Sequence, residues 1–298
     1  MAVFLIAAGD CGFEKLKGAA GPIFCGVSQH QQLRMSSSSV TVVIRGSNVP
    51  VSGPPGLDLA FCVQATPFVN WVSTLDPGLD VSEIKIHGAD YFGKRIGFLK
   101  LEAVTKCNGN PVPGIIFMRG GAVSILLILH CRDQGWIVCT RQARVPIGKA
   151  NFLELPAGML DDSGDFVGVA AKELEEETGI KLSAADLTDM TALTYEPTGS
   201  QHPEDVEAKV IRDKSSPLKG MYPSAGGSDE FIRLMLHEKK VTQDELEALQ
   251  GKLTGCAAEG EKIVLEIVRF EMLWRVTSDA KALASLLLFQ NLVAVKQL

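Results

Sequence analysis

The sequence predicts an α+β fold built on a mixed β-sheet. Three observations carry that prediction. The middle of the chain is a series of short apolar, β-branched runs, "PGIIFMRG", "AVSILLILH" and "GWIVCTRQARV", broken by Gly, Pro and Asp as strands are. Strands and helices are mixed without regular βαβ alternation, which argues against a doubly wound parallel sheet. With 298 residues, 46% of them hydrophobic, the chain can bury the core of one large domain or two small ones.

The elements follow in order. Residues 1–46 carry Lys15, Lys17, Arg34 and Arg45 against Asp10 and Glu14, with "SSSS" at 36–39. Basic, Ser-rich, acid-poor leaders are typical of organelle transit peptides, so this segment is read as one; a tail without targeting role is the alternative. Residues 47–105 form a small β-rich N-terminal subdomain. It has a Gly/Pro-rich lead-in, a short helix around Trp71, and the runs "SEIKIHG" and "RIGFLKLEAV", which alternate polar and apolar as half-buried strands do. Residues 106–298 are the main domain. Its central runs are followed by "NFLELPAGMLDDSGDFVGVAAKELEEETGI", a strand or turn leading into a helix over 166–178, with Gly179 in the left-handed C′ position. Residues 196–220 are polar and aperiodic, and read as a long inserted loop in which His202 is a solvated histidine. "EFIRLML" and "KIVLEIVRF" are further strands. The run at 282–295 is interrupted by Gln290 and Asn291, so it reads as a closing core helix rather than a membrane span.

Charge and cysteine usage exclude several classes. The net charge is −6 and no stretch is dense in Lys and Arg, which argues against tight nucleic-acid binding. An acidic protein acting on a polyanion must supply cations locally, from a metal or a few placed arginines. The seven cysteines, Cys11, Cys25, Cys62, Cys107, Cys131, Cys139 and Cys256, include no C-x-x-C pair. They read as scattered reduced thiols, and a zinc site is not expected.

One stretch is locally unfavourable. In "AAKELEEETGI" the glutamates crowd the last turns of the helix. At about 100° per residue, Glu176 and Glu177 fall about 60° and 40° to either side of Glu173. Ala170, Leu174, Val167 and Thr178 form the adjoining stripe that packs on a sheet. Like charges at i,i+3 and i,i+4 cost about 0.2–0.5 kcal/mol per pair. The helix dipole adds roughly 0.3–1 kcal/mol for each carboxylate. Alone, "ELEEE" would read as a solvated acidic face. A divalent, oxygen-liganded cation would remove the penalty, and Mg²⁺ or Mn²⁺ fits carboxylates plus substrate phosphates.

The wider spacing resembles the Nudix box. Gly158, Lys172-Glu173, Leu174, Glu176-Glu177, Gly179 and Ile180 stand at the family's distances. Two positions depart: Gly164 replaces the early glutamate, with Asp165 beside it as a candidate substitute, and Lys172 replaces arginine. "FGKRIGFLK", "RQARVP", "LELPAGMLDD", "YPSAGGSDE" and "LWRVTSDAKAL" are similar to the plant chloroplast ADP-sugar diphosphatase branch of the family. The resemblance implies an α/β/α sandwich around the mixed sheet and a homodimer formed through the N-terminal subdomain. It also implies a small-molecule nucleotide-sugar substrate, with no nucleic-acid or membrane partner, and a chloroplast location if residues 1–46 are a transit peptide, a cytoplasmic one otherwise.

It further implies roles. Glu173, Glu176 and Glu177 hold Mg²⁺, with the Ala157 carbonyl as a further ligand and Gly158 allowing close approach. Glu230 is the candidate general base, alongside Glu176 and Glu177 as catalytic carboxylates. Arg144 binds the diphosphate, and Glu154 faces sugar or metal. The expected reaction is Mg²⁺-dependent hydrolysis of ADP-glucose or ADP-ribose to AMP and a sugar 1-phosphate. The alternative is a degenerate domain that binds a nucleotide sugar without turnover.

Overall fold

The computed structural model describes residues 39–160, 165–194, 220–255 and 262–298. The insertion at 196–219, Gly164, His202, Cys11, Cys25 and Cys256 lie outside them. Residues 37–298 form one compact unit holding two sheets.

The first sheet contains β1 (Ser39–Ile44), β2 (Ser47–Ser52), β3 (Leu79–Phe92), β4 (Arg95–Cys107) and β5 (Asn110–Val112) in that order, with β6 (Ile115–Met118) also on β4. Helices α1 (Leu59–Cys62) and α2 (Thr66–Ser73) cover it, and α2 holds the expected Trp71. Leu59, Phe68, Ile84, Leu99 and Leu101 fill the core between them. Strand β1 lies inside the 1–46 segment read as a leader, and the sheet continues to Met118, past residue 105. The serine run hid β1: its last serine, Ser39, already pairs with Ser52. A backbone ladder needs no apolar residue at its first position, so composition is a poor guide to where it starts.

The second sheet contains β7 (Gly121–Cys131), β8 (Gln134–Arg144), β9 (Lys149–Glu154), β10 (Ala157–Met159), β11 (Thr188–Asp189), β12 (Phe231–Lys240), β13 (Leu253–Thr254) and β14 (Ile263–Arg269). Its main order is β11-β12-β7-β8-β14-β13; β9 pairs with β8 and β10 with β7. β12 runs parallel to β7, whereas β8 and β14 are antiparallel to their neighbours, so the sheet is mixed.

Two helical layers enclose this sheet. Along β7, Val123, Ile125, Leu127 and Leu129 face α3 (Phe166–Thr178) and α5 (Gln243–Leu249). Ala122, Leu126 and Ile128 face α4 (Met190–Leu193), α6 (Leu273–Val276) and α7 (Ala280–Ala294). Period-two alternation thus feeds both cores, which is why "AVSILLILH" is apolar throughout. The expected α/β/α sandwich is what forms. Among the described residues, no helix is long and apolar enough to cross a membrane. Cys62, Cys107, Cys131 and Cys139 are free thiols.

Candidate active site

The site forms where β8 ends, β9 and β10 turn, and α3 crosses the sheet. Asp165 caps α3, its side chain accepting the Gly168 amide at 2.9 Å. Gly179 ends the helix at φ 72°, in the left-handed conformation expected of it. Val169, Ala170, Leu174 and Thr178 are buried beneath the helix, with Val167 partly buried beside them.

This packing rolls Glu177 inward. It is 6% exposed. One carboxylate oxygen accepts the Ala157 amide at 3.1 Å, and the other accepts Gln142 Nε2 at 3.5 Å. Burial pushes its carboxyl up to about 8; the Ala157 amide opposes the shift, Glu173 and Glu154 add to it, and Arg144 lowers it. Glu173 stands over Gly158, where a Cβ would fall 1.9 Å from its Cδ. Glycine at 158 therefore makes room for the Glu173 carboxylate.

The backbone of β10 contributes as well. Ile125 donates to the Pro156 carbonyl and Leu160 to the Gly121 carbonyl, both at 3.0 Å. Hydrogen-bonded and non-hydrogen-bonded pairs alternate in an antiparallel ladder, so Ala157, paired with Ser124, is of the second kind. Its amide and its carbonyl both point away from β7. The amide meets Glu177; the carbonyl faces the same side.

Arg144 and Glu154 meet directly. Arg144 Nε lies 2.7 Å from Glu154 Oε1, and Lys281 Nζ lies 2.5 Å from Glu154 Oε2 and 3.0 Å from Asp279. Glu154 was expected to face sugar or metal; both its oxygens are instead held by cations. It is 3% exposed, and a carboxyl group buried this deeply needs polar partners. Asp279 also accepts the Leu155 amide at 3.0 Å, tying α7 to the edge of β9. Lys281 and Asp279 are the site residues that sequence reasoning missed. The available signal was a lysine two residues beyond the N-cap of an otherwise uncharged helix.

Glu176 and Glu230 sit apart from this cluster. Glu176 extends to Lys172 at 3.6 Å, with nearly half its side chain exposed. The three glutamates therefore share a helix face as expected, but two converge and the third braces against lysine. Asp165 caps the helix, with its side chain on the Gly168 amide. Glu230 precedes β12, whose Ile232 pairs with Ala122 opposite Met159. That places it about two strand spacings, roughly 10 Å, from β10 at the same end of the sheet. Its side chain pairs with Arg119 at 3.4 Å.

Among the described residues, no three acidic, His or Cys side chains form a ready metal cage. The donor set still suits a hard divalent cation: Glu173 and Glu177, the outward Ala157 carbonyl, and Glu176 one turn away. These are oxygen ligands, as Mg²⁺ and Mn²⁺ require. A buried carboxyl raised to about 8 beside a second one gains most from a neighbouring positive charge.

The NUDIX domain model matches residues 118–272, which takes in the second sheet, α3 and the glutamate cluster. The chain is 38% identical over 278 residues to Nudix hydrolase 14, chloroplastic, of Arabidopsis thaliana, covering 87% of this chain and 84% of that one. It is 34% identical over 106 residues to the ADP-ribose pyrophosphatase of Bacillus subtilis, covering 36% of this chain and 54% of that one. It is also 36% identical over 134 residues to a Nudix hydrolase of Schizosaccharomyces pombe, covering 44% and 62%. On that match and that coverage, the chain belongs to the Nudix hydrolase family, whose members act on small nucleotide substrates and use divalent metals.

Proposed function

We propose that the chain hydrolyses the pyrophosphate bond of ADP-sugars, ADP-glucose first and ADP-ribose second, with Mg²⁺ and with Mn²⁺ as the alternative ion. The products are AMP and a sugar phosphate. The observation that carries this reading is one juxtaposition. The buried Glu177 and its neighbour Glu173 stand beside Arg144, joining an anionic cation-binding pair to a phosphate-binding guanidinium. Two relatives, an ADP-ribose pyrophosphatase and a chloroplastic Nudix hydrolase, support the substrate class and a plastid location. A homodimer through the first sheet completes the proposal.

Glu173, Glu177, Glu176 and the Ala157 carbonyl would hold the ion. Bound there, it would neutralise phosphate oxygens and lower the pKa of a coordinated water. The chain's own groups do the rest. Arg144 spends Nε on Glu154, which leaves the two terminal nitrogens of its guanidinium to pair with the diphosphate. Lys281 engages the other oxygen of Glu154, so Arg144 is held in one orientation. Glu230 accepts a proton from the attacking water. A new P–O bond forms to that water's oxygen. The bond from the same phosphorus to the bridging oxygen breaks, its electron pair staying on the departing phosphate.

The test is a substrate panel: ADP-glucose, ADP-ribose, UDP-glucose and NADH with Mg²⁺, followed by AMP or UMP release. Faster release from the ADP-sugars is the expected outcome. UDP-glucose cleaved well ahead of them would refute the substrate assignment. Metal-dependent binding with no turnover would identify a non-hydrolytic nucleotide-sugar binder instead.

A further inference from the structure

The segment joining the two sheets, residues 117–120, is the wall against which the loop carrying Glu230 docks. The Phe117 amide donates to the Gly227 carbonyl at 2.8 Å, and Phe117 bridges Ser228. Asp229 accepts the amides of Arg119 at 2.8 Å and Gly120 at 3.2 Å. The Glu230 amide donates to Ser228 Oγ at 3.2 Å. Backbone is thus fixed just before Glu230, although the loop contains Gly226 and Gly227.

The side chain has its own brace. Arg119 Nε lies 3.4 Å from Glu230 Oε1. The Glu230 side chain is 15% exposed, and that of Arg119 34%. On its other side the Arg119 guanidinium lies over the Phe98 ring of β4, 5.7 Å from the centroid. The cation is therefore gripped between the first sheet and the loop of the second. Asp229 is the other charged group on that docked loop. Its carboxyl is raised by burial and partly brought back by the amides of Arg119 and Gly120, so it serves the backbone rather than the substrate.

We propose that Arg119 is a positioning residue for Glu230. It holds that carboxylate in one place at the mouth of the site, and so makes turnover depend on the docking of the first sheet. The inference rests on the reading of Glu230 as the group that receives the water's proton. Fixing the side chain matters, since a displacement of about 1 Å at a reacting group can cost on the order of a hundredfold in rate.

A kinetic double-mutant cycle tests this. Arg119→Met keeps the aliphatic stem against Phe98 and removes the charge. In the wild-type background it should lower kcat by about 10–100-fold, the scale of a misplaced catalytic group, with KM little changed. In a Glu230→Gln background it should cause no further loss. Arg119→Lys should recover part of the rate. Circular dichroism melts identify any variant that fails to fold, and the lysine variant then carries the comparison. An equal loss of kcat in both backgrounds, or none in the wild type, would overturn the inference. Wild-type turnover in Glu230→Gln alone would instead remove Glu230 from the reaction, a failure distinct from that of Arg119.

Discussion

Glu177 shows how one side chain can be both a cost and a tool. Folding buries it without a full counter-charge, and burial raises its pKa from 4.5 to about 8. Between those values the folded protein binds a proton that the unfolded chain does not. The corresponding stability is present in full below about pH 4.5 and is lost as pH rises through about 8. Protein stripped with EDTA should therefore melt at a lower temperature at pH 9 than at pH 6. Glu177→Gln should flatten most of that difference, and Mg²⁺ should recover the loss in the wild type alone. The same variant should lower turnover by orders of magnitude, since it removes a charged ligand from the cation site. Parallel pH–melting curves for the two proteins would contradict this account of Glu177. Gly158 is the complementary case. Gly158→Ala puts a methyl group into the Glu173 carboxylate. It should weaken Mn²⁺ binding in calorimetry by about 10–100-fold, the range seen when the groups that orient a metal ligand are lost. Its thermal stability should change little, because Glu173 can swing towards solvent.

Helix α3 aims the glutamates only because both of its ends are fixed. Asp165 starts it and Gly179 stops it, so the register of Glu173 and Glu177 against β10 has no freedom to slide by a residue. Asp165→Ala removes a side-chain cap and should cost about 0.5–2 kcal/mol in denaturant unfolding. If Asp165 served instead as a metal ligand, the variant would lose Mn²⁺ affinity by the same factor as a Glu173 variant. At the other edge, α7 reaches into the site through Lys281, and Asp279 ties its start to β9. Lys281→Met leaves the buried Glu154 with a single partner. Breaking a buried ion pair on one side typically costs about 3–5 kcal/mol. Glu154→Gln added to Lys281→Met should return much of that stability while leaving kcat low, because Arg144 then lacks its carboxylate anchor. Full recovery of kcat would show that Arg144 needs no such anchor.

The molecule as a whole divides its work between the two sheets. The second, inside its helical layers, holds the proposed cation site and the arginine proposed to bind phosphate. The first meets it through residues 117–120, the stretch on which the Glu230 loop rests. Catalysis should therefore tolerate removal of residues before the first strand and not removal of the first sheet. A chain truncated to begin at Ser37 should keep its kcat and its melting temperature, since all described strands lie beyond that point. A large drop in either would show that residues 1–36 contribute to the folded enzyme.

Local patterns were enough for much of this. Period-two runs marked the strands on both sides of the molecule, and the C′ signal of Gly179 marked the end of α3. The spacing from Gly158 to Ile180 marked the family and the glutamates of the candidate site. All of these are properties of neighbouring residues, which a sequence displays directly. What remained hidden depends on contacts across long separations. Glu176 shares a helix face with Glu173 and Glu177, yet only packing against β10 decides that Glu177 turns inward while Glu176 meets Lys172. Glu154 lies 127 residues from Lys281, and Glu230 lies 111 from Arg119. No periodicity links such pairs. The sequence alone therefore determined which carboxylates and arginines the site could use. The tertiary structure decided which of them are buried, which are paired, and which remain available to a substrate, because desolvation and charge pairing exist only once distant strands and helices have met.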